Sequence, residues 1–316
     1  MFKHLILAAA LWSGAAVGQS YPDATKPIKI LVPFGTGSSA DLMARAIAQG
    51  IEAQGIKTIV DNKPGAGGII AMREAKNAPP DGYTMVLSNL STQVLNQFFL
   101  PDMPYDPVKD FTPIVGVGTF PLVLNISTTL PYTSAGELID SAKKNPAKYR
   151  YGSATATTQL AAELLNNKAG ITITHVPYKA MAQASLAMAS GEVDIVFNDA
   201  ITSKPFYDNG RVRPLAVSGP SRIPQLPNVP TFREHGLDYE MEVWLAAYFP
   251  AKTPDSIVLT MQDILQKSIK SPYVVEAMER ASYVPLAMAG DELTALQRRE
   301  SEKWGKLVND ANLKPK

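Results

Sequence analysis

The sequence predicts an α/β fold of two lobes, each a mostly parallel sheet flanked by helices, and three observations carry that prediction. Apolar β-like runs alternate with helix patterns along the chain, and two strand-loop-helix units of one plan stand in its two halves. The 316 residues, 46% hydrophobic and 19% charged, suffice for two lobes or one large domain. Candidate strands cover Ile28–Pro33, Thr58–Asp61, Thr84–Leu87, Leu122–Ile126, Tyr149–Gly152, Thr172–Val176, Asp194–Phe197 and Pro214–Ser218, with helices between them.

The first residues read as a secretory leader. Lys3 and His4 precede the apolar run Leu5 to Val17, and Ala16 and Gly18 are placed like an A-x-G cleavage site. The leader is therefore expected over 1–18, with a mature, exported chain starting near Gln19. The run is shorter than the roughly 20 apolar residues a membrane span needs. Without cysteine, thiol catalysis, Cys-ligated metal sites and a lipidated N-terminal cysteine are excluded, and a chain of this size buries enough apolar area without disulfides. A net charge of +1 gives no basic stripe, so nucleic acid is not an expected partner. Beyond the leader only His175 and His235 remain, far apart and without an i, i+4 partner. Both are read as structural, and neither a metal nor a cofactor is expected.

Each element then follows in order. The run Ile28 to Phe34 ends in Gly35-Thr36-Gly37-Ser38-Ser39 just where a helix over Ala40 to Gln49 begins. Free backbone N–H groups and the positive end of a helix dipole should face one point there, as a cradle for a small anion. That loop holds no lysine, arginine or histidine, and donors without a base or metal ligand suit holding a carboxylate or phosphate better than transforming it. Pro64-Gly65-Ala66-Gly67-Gly68 lacks the lysine and hydroxyl residue of a phosphate loop and is read as backbone architecture near a cleft. Pro80-Asp81-Gly82-Tyr83 is a turn into a buried strand. Ser134-Ala135-Gly136-Glu137 is a capping box opening a helix over Leu138–Lys144.

The second cradle repeats the plan of the first. The strand Tyr149 to Ser153 leads into Ala154-Thr155-Ala156-Thr157-Thr158 and a helix over Gln159 to Lys168, closed by Gly170. Either loop alone is read as well as a helix cap; together they suggest two lobes gripping one small molecule. Thr253-Pro254 supplies an N-cap and a proline at the first helical position before Ser256–Ile269, and the rest of the chain is mostly helical.

Several ordered motifs carry a resemblance. They are Pro33-Phe34 with Gly35, Gly37, Asp41 and Ala44-Arg45; Asp61 to Gly68; Pro80-Asp81-Gly82-Tyr83-Thr84; and Tyr105 to Phe111. Further along come His175-Val176-Pro177-Tyr178-Lys179, Gly191 to Asp194, Arg213 to Val217 and Pro227 to Phe232. With these the chain resembles the substrate-binding proteins of tripartite tricarboxylate transporters, the Bug family, over nearly all of its mature length. The resemblance implies a periplasmic, type II-like two-lobed binding protein, monomeric, that closes on a carboxylated solute. It also implies delivery of that solute to membrane subunits of the TctA and TctB kind.

The same resemblance places lobe 1 at 19–120 and 245–316 and lobe 2 at 121–244, with hinge strands at Leu122–Asn125 and Leu245–Phe249. It assigns Phe34, Gly35, Thr36, Ser38 and Ser39 to a first-lobe anion loop, with Asp41 just inside its helix, and Ser153, Ala154, Thr155, Thr157 and Thr158 to a second-lobe loop. Asn198 and Asp199 follow a strand at its carboxyl end, where α/β sheets bind ligands, and Ser88 and Asn89 face the same edge by similar reasoning. Asp41 and Arg45 are also spaced as a helical ion pair, and Asp199 would repel an acid unless it serves an amine, a water or a backbone N–H.

Departures from the family pattern bear on the solute. Ser38 replaces a glycine and adds a hydroxyl, the second loop lacks a Gly-x-Gly, and Ala180 stands where glycine commonly follows Tyr178-Lys179. Dicarboxylates, aromatic carboxylates and amino acids stay open, with the first two favoured. Two rivals remain. A periplasmic serine hydrolase is suggested by Ser141-Ala142-Lys143-Lys144, which matches S-x-x-K, and by Ser38 or Ser39. A sensor presenting its solute to a membrane signalling protein would share the binding chemistry.

Overall fold

A computed structural model describes residues 21–100, 102–286, 288–311 and 313, so the expected leader lies outside the described residues. The chain opens with β1 (Ile28–Val32), α1 (Ser39–Glu52), β2 (Thr58–Asn62), α2 (Ile69–Lys76) and β3 (Thr84–Asn89), then passes through α3 (Asn96–Phe99) into β4 (Phe111–Pro121). β1 pairs in parallel with both β2 and β3, which makes it the middle strand of a βαβαβ unit. Next come β5 (Val123–Ser127), α4 (Ala135–Lys144), β6 (Arg150–Ser153), α5 (Ala156–Ala169) and β7 (Thr174–Pro177). They are followed by α6 (Met181–Ser190), β8 (Ile195–Asn198), α7 (Ala200–Asp208) and β9 (Val212–Val217). Here β6 pairs in parallel with β7 and β8, the same arrangement again. β10 (Glu242–Pro250), α8 (Asp255–Ile269), α9 (Pro272–Ala281), β11 (Val284–Pro285) and α10 (Asp291–Asp310) complete the chain.

Two sheets result, ordered β11-β4-β10-β3-β1-β2 and β7-β6-β8-β5-β9. Among the named strands parallel pairing falls in the two βαβαβ units, while β10 runs antiparallel to β3 and β4, and β5 antiparallel to β8 and β9. The strands beside the crossings enter each sheet from the other lobe rather than over a helix, so no crossover holds them parallel. β4 is absent from the expected strands because Pro113, Gly116 and Gly118 break its β pattern. Its glycines admit β11: a Cβ at Gly118 would stand 2.8 Å from the Val284 carbonyl oxygen.

Burial explains the helices and central strands. In β1 every residue but Lys29 is buried, as expected of a strand covered on both faces. α1 buries Met43, Ala44, Ile47, Ala48 and Ile51, a stripe at helical spacing that packs toward α8 and α9. Pro254 rather than Thr253 is the residue that precedes α8, and the Thr253 hydroxyl instead donates to the Pro250 carbonyl at 2.8 Å.

The crossings between sheets lie side by side. The first is Leu122 alone, between β4 and β5, and the second closes at Met241, just before β10. Ser218, fully buried, joins them: its Oγ accepts from the Leu122 N–H at 2.8 Å and donates to the Met241 carbonyl at 2.6 Å. Backbone bonds from Ser218 N to Leu122 O and from Met241 N to Ser218 O, both 2.8 Å, complete the clasp.

Candidate functional site

The carboxyl ends of β1 and β6, the middle strands of the two βαβαβ units, feed the loops before α1 and α5. Those loops face each other across a cavity of about 130 Å³ between the sheets. First turns of α1 (Ser39, Ala40), α5 (Thr157, Thr158), α6 (Met181, Ala182) and α7 (Thr202, after Asp199) all stand on its wall. A helix start carries N–H groups with no intrahelical partner and the positive end of the dipole, so the cavity is lined to receive negative charge. Phe34 and Phe120 supply apolar wall, and among the described residues Lys179 and Asp199 are its charged side chains.

In the first cradle the local bonds are mostly internal. The Ser38 hydroxyl is the N-cap of α1 and accepts from Asp41 N at 3.2 Å. Asp41 in turn accepts the Gly37 N–H at 2.9 Å and pairs with Arg45 at 3.0 Å. Burial pushes the Asp41 carboxyl up, but Gly37 and Arg45 outweigh it and hold it below the ordinary carboxylate range. Ser39 donates across the cleft to Asp199 Oδ2 at 3.3 Å. The Tyr283 hydroxyl stands 3.5 Å from Ser39 Oγ, and its ring stacks on Phe120 at 4.5 Å.

In the second cradle Thr155 caps α5 and forms a reciprocal capping box with Thr158. Thr157, between them in the same turn, is 3% exposed, and its Oγ1 has no partner among the described residues. Asp199 caps α7, accepting from Thr202 N at 2.8 Å. Burial raises its carboxyl above the ordinary range against the pull of the Thr202 and Ser39 bonds, which shifts it toward the neutral form.

Residues 43–313 match the profile of the family described as "Tripartite tricarboxylate transporter family receptor". The chain belongs to this family. A Pseudomonas sp. protein encoded in the tcbD-tcbE intergenic region is 34% identical to the receptor over 294 residues, 92% of this chain and 87% of that one. A solved R. palustris structure with adipate superposes at a TM-score of 0.86 and 30% identity, covering 92% of this chain and 98% of that one. MatC from Rhodopseudomonas palustris with bound malate gives 0.82 and 25%, covering 90% and 99%. The receptor is thus a two-lobed solute-binding protein and not an enzyme. Among its described residues no helix is long and apolar enough to cross a membrane.

Of the residues singled out in the sequence, Phe34, Gly35, Thr36, Ser38, Ser39, Asn89, Ala154, Thr155, Thr157, Thr158, Asn198 and Asp199 come together on the receptor's cavity wall. Asp41, Ser88 and Ser153 do not stand on that wall. Asp41 is drawn back by Gly37 and Arg45. Ser88 lies within 2.6 Å of the Thr92 hydroxyl, fully buried. Ser153 is held at 2.7 Å by His175 Nε2, whose ring stacks on Tyr151. Ser153 is 3% exposed and off the wall, so the pair stands apart from the cavity. Ser141 of the S-x-x-K match is held by Tyr132 and Tyr149, each at 2.7 Å, also off the wall.

Sequence reasoning missed part of the wall. Gly65, Gly67 and Gly68 line it in positive-φ conformations, and a Cβ at Gly68 would strike Thr92 Cγ2 at 2.6 Å. Their glycine run was a visible signal, read as backbone architecture near a cleft; it stands on the wall itself. Lys179 was quoted as family motif without a role, Ala180 only as a departure from the pattern, and Met181 and Ala182 not at all; the signal was a cation directly before a helix whose N-cap is an alanine.

Proposed function

We propose that this receptor works in the periplasm, where it captures a small carboxylate, a dicarboxylate or aromatic carboxylate in preference, and delivers it to the membrane subunits of a tripartite tricarboxylate transporter. One observation carries the reading: four helix starts and neutral hydroxyls converge on the interlobe cavity, whose wall holds no histidine among the described residues. Each charge-assisted hydrogen bond to a carboxylate is worth on the order of 1.5–3 kcal/mol, and a few of them support affinities around micromolar. Adipate and malate, named with the two R. palustris structures, are of this chemical class.

Asp199 weighs against an amino acid. Its oxygens already accept from Thr202 N and Ser39 Oγ, and among the described residues no other carboxylate stands on the wall to take an ammonium group. A solute seated between the α1 and α5 loops touches both lobes only when they are closed, so its binding energy favours closure about the Leu122 and Met241 crossings. A thermal-shift panel on refolded, ligand-free mature protein tests the proposal with aliphatic dicarboxylates, tricarboxylates, aromatic acids and acidic amino acids. A dicarboxylate or aromatic acid should raise Tm by mass action. No shift with any carboxylate would refute the reading.

A further inference from the structure

α6 begins differently from its neighbours on the cavity wall. Ser38, Thr155 and Asp199 cap α1, α5 and α7 with side-chain oxygens, but the residue before α6 is Ala180, which has none to offer. Ala180, Met181 and Ala182 all line the cavity, so the first N–H groups of this ten-residue helix face it uncapped. Lys179 precedes them on the same wall. Lys168 and Lys204 of the same lobe pair with Asp238 and Asp208, whereas Lys179 has no acidic partner among the described residues. The start of α5 shares this corner: Thr158 Oγ1 lies 3.5 Å from Met181 Sδ, and Tyr178 N donates to the Ser153 carbonyl at 2.8 Å. Beside it stands the unpartnered, 3% exposed Thr157 hydroxyl.

A cation, an uncapped helix start and a buried hydroxyl without a partner are the donor set that an acid group completes. The α1 loop across the cavity provides for one carboxylate with neutral groups alone. We propose that Lys179, the first turn of α6 and Thr157 form a receptor for a second acid group, so that the solute is a dianion with acid groups at both ends. This rests on the carboxylate reading above and narrows it to diacids, aliphatic or aromatic, over monoacids of the same skeleton.

The test is isothermal titration of refolded wild-type and Lys179→Gln protein with matched pairs: succinate and butyrate, adipate and hexanoate, terephthalate and benzoate. In at least one pair the wild type should bind the diacid at least tenfold more tightly, on the scale of one charge-assisted contact. Lys179→Gln should weaken that diacid roughly ten- to hundredfold and its monoacid partner less than about twofold, with Lys179→Arg recovering most of the loss. Lys179 is exposed, so circular dichroism of the variants should match wild type. Equal wild-type affinity for diacid and monoacid would overturn this inference and leave the carboxylate reading standing. An equal loss for both acids in Lys179→Gln would also overturn it, and binding of none of the six would remove both.

Discussion

In the α1 loop Ser38 accepts the Asp41 N–H, Asp41 takes the Gly37 N–H and Ser39 reaches Asp199 across the cleft. In the α5 loop the Thr155–Thr158 box closes on itself and leaves Thr157 free. The two cradles share a position in their sheets and a plan in sequence, yet their hydroxyls do different work. In both, the N-cap residue and the residue three positions later are engaged locally, while between them Ser39 reaches Asp199 of the opposite lobe and Thr157 stands on the cavity wall. A hydroxyl-rich helix start therefore divides its duties by position: the ends of the first turn hold the helix, and its middle is available to a ligand.

That division can be broken by substitution. Thr157→Val removes a hydroxyl that has no partner among the described residues, so carboxylate affinity should fall by about 1.5–3 kcal/mol with urea stability unchanged or slightly raised. A stability loss without an affinity loss would place Thr157 with the caps. Thr155→Ala and Ser38→Ala should do the reverse, each losing about 1 kcal/mol of folding stability through the lost cap, read by urea denaturation, with a smaller change in affinity. Ser38 was expected to add a donor to the loop; as an N-cap it is an acceptor, and the variant pair tests that exchange.

The smallest effect concerns Asp199. Its carboxyl is raised by burial in the fold, so the stability it contributes is fully present below the ordinary carboxylate pKa and is lost as pH rises through the raised native value. Asp199→Asn keeps an acceptor for Thr202 N and Ser39 Oγ without that loss. The variant's Tm should decline less than wild type from acid toward neutral pH. Parallel curves would contradict the assignment.

The alternation of elements and both cradles were legible because β1, β6 and the helices after them have strong local signals. β4 was not, since Pro113 interrupts its pattern and Gly116 and Gly118 make room for Leu286 and Val284, residues far along the chain. Positions within the cradles were legible as a group, but the withdrawal of Asp41, Ser88 and Ser153 depends on Arg45, Thr92 and His175. The corner at Lys179 needed the fold as well, because only the β6–β7 and β6–β8 pairings bring the starts of α5 and α6 together.

The most direct measurement is a crystal structure of the refolded receptor with the acid that gives the largest thermal shift. The account predicts the acid in the cavity between the α1 loop and the first turns of α5 and α6, with one of its carboxylates in hydrogen-bonding range of Thr157 Oγ1 and both lobes closed on it. An acid bound outside this cavity, in the larger hollow beside Gln93 and Gln297 for example, would contradict it.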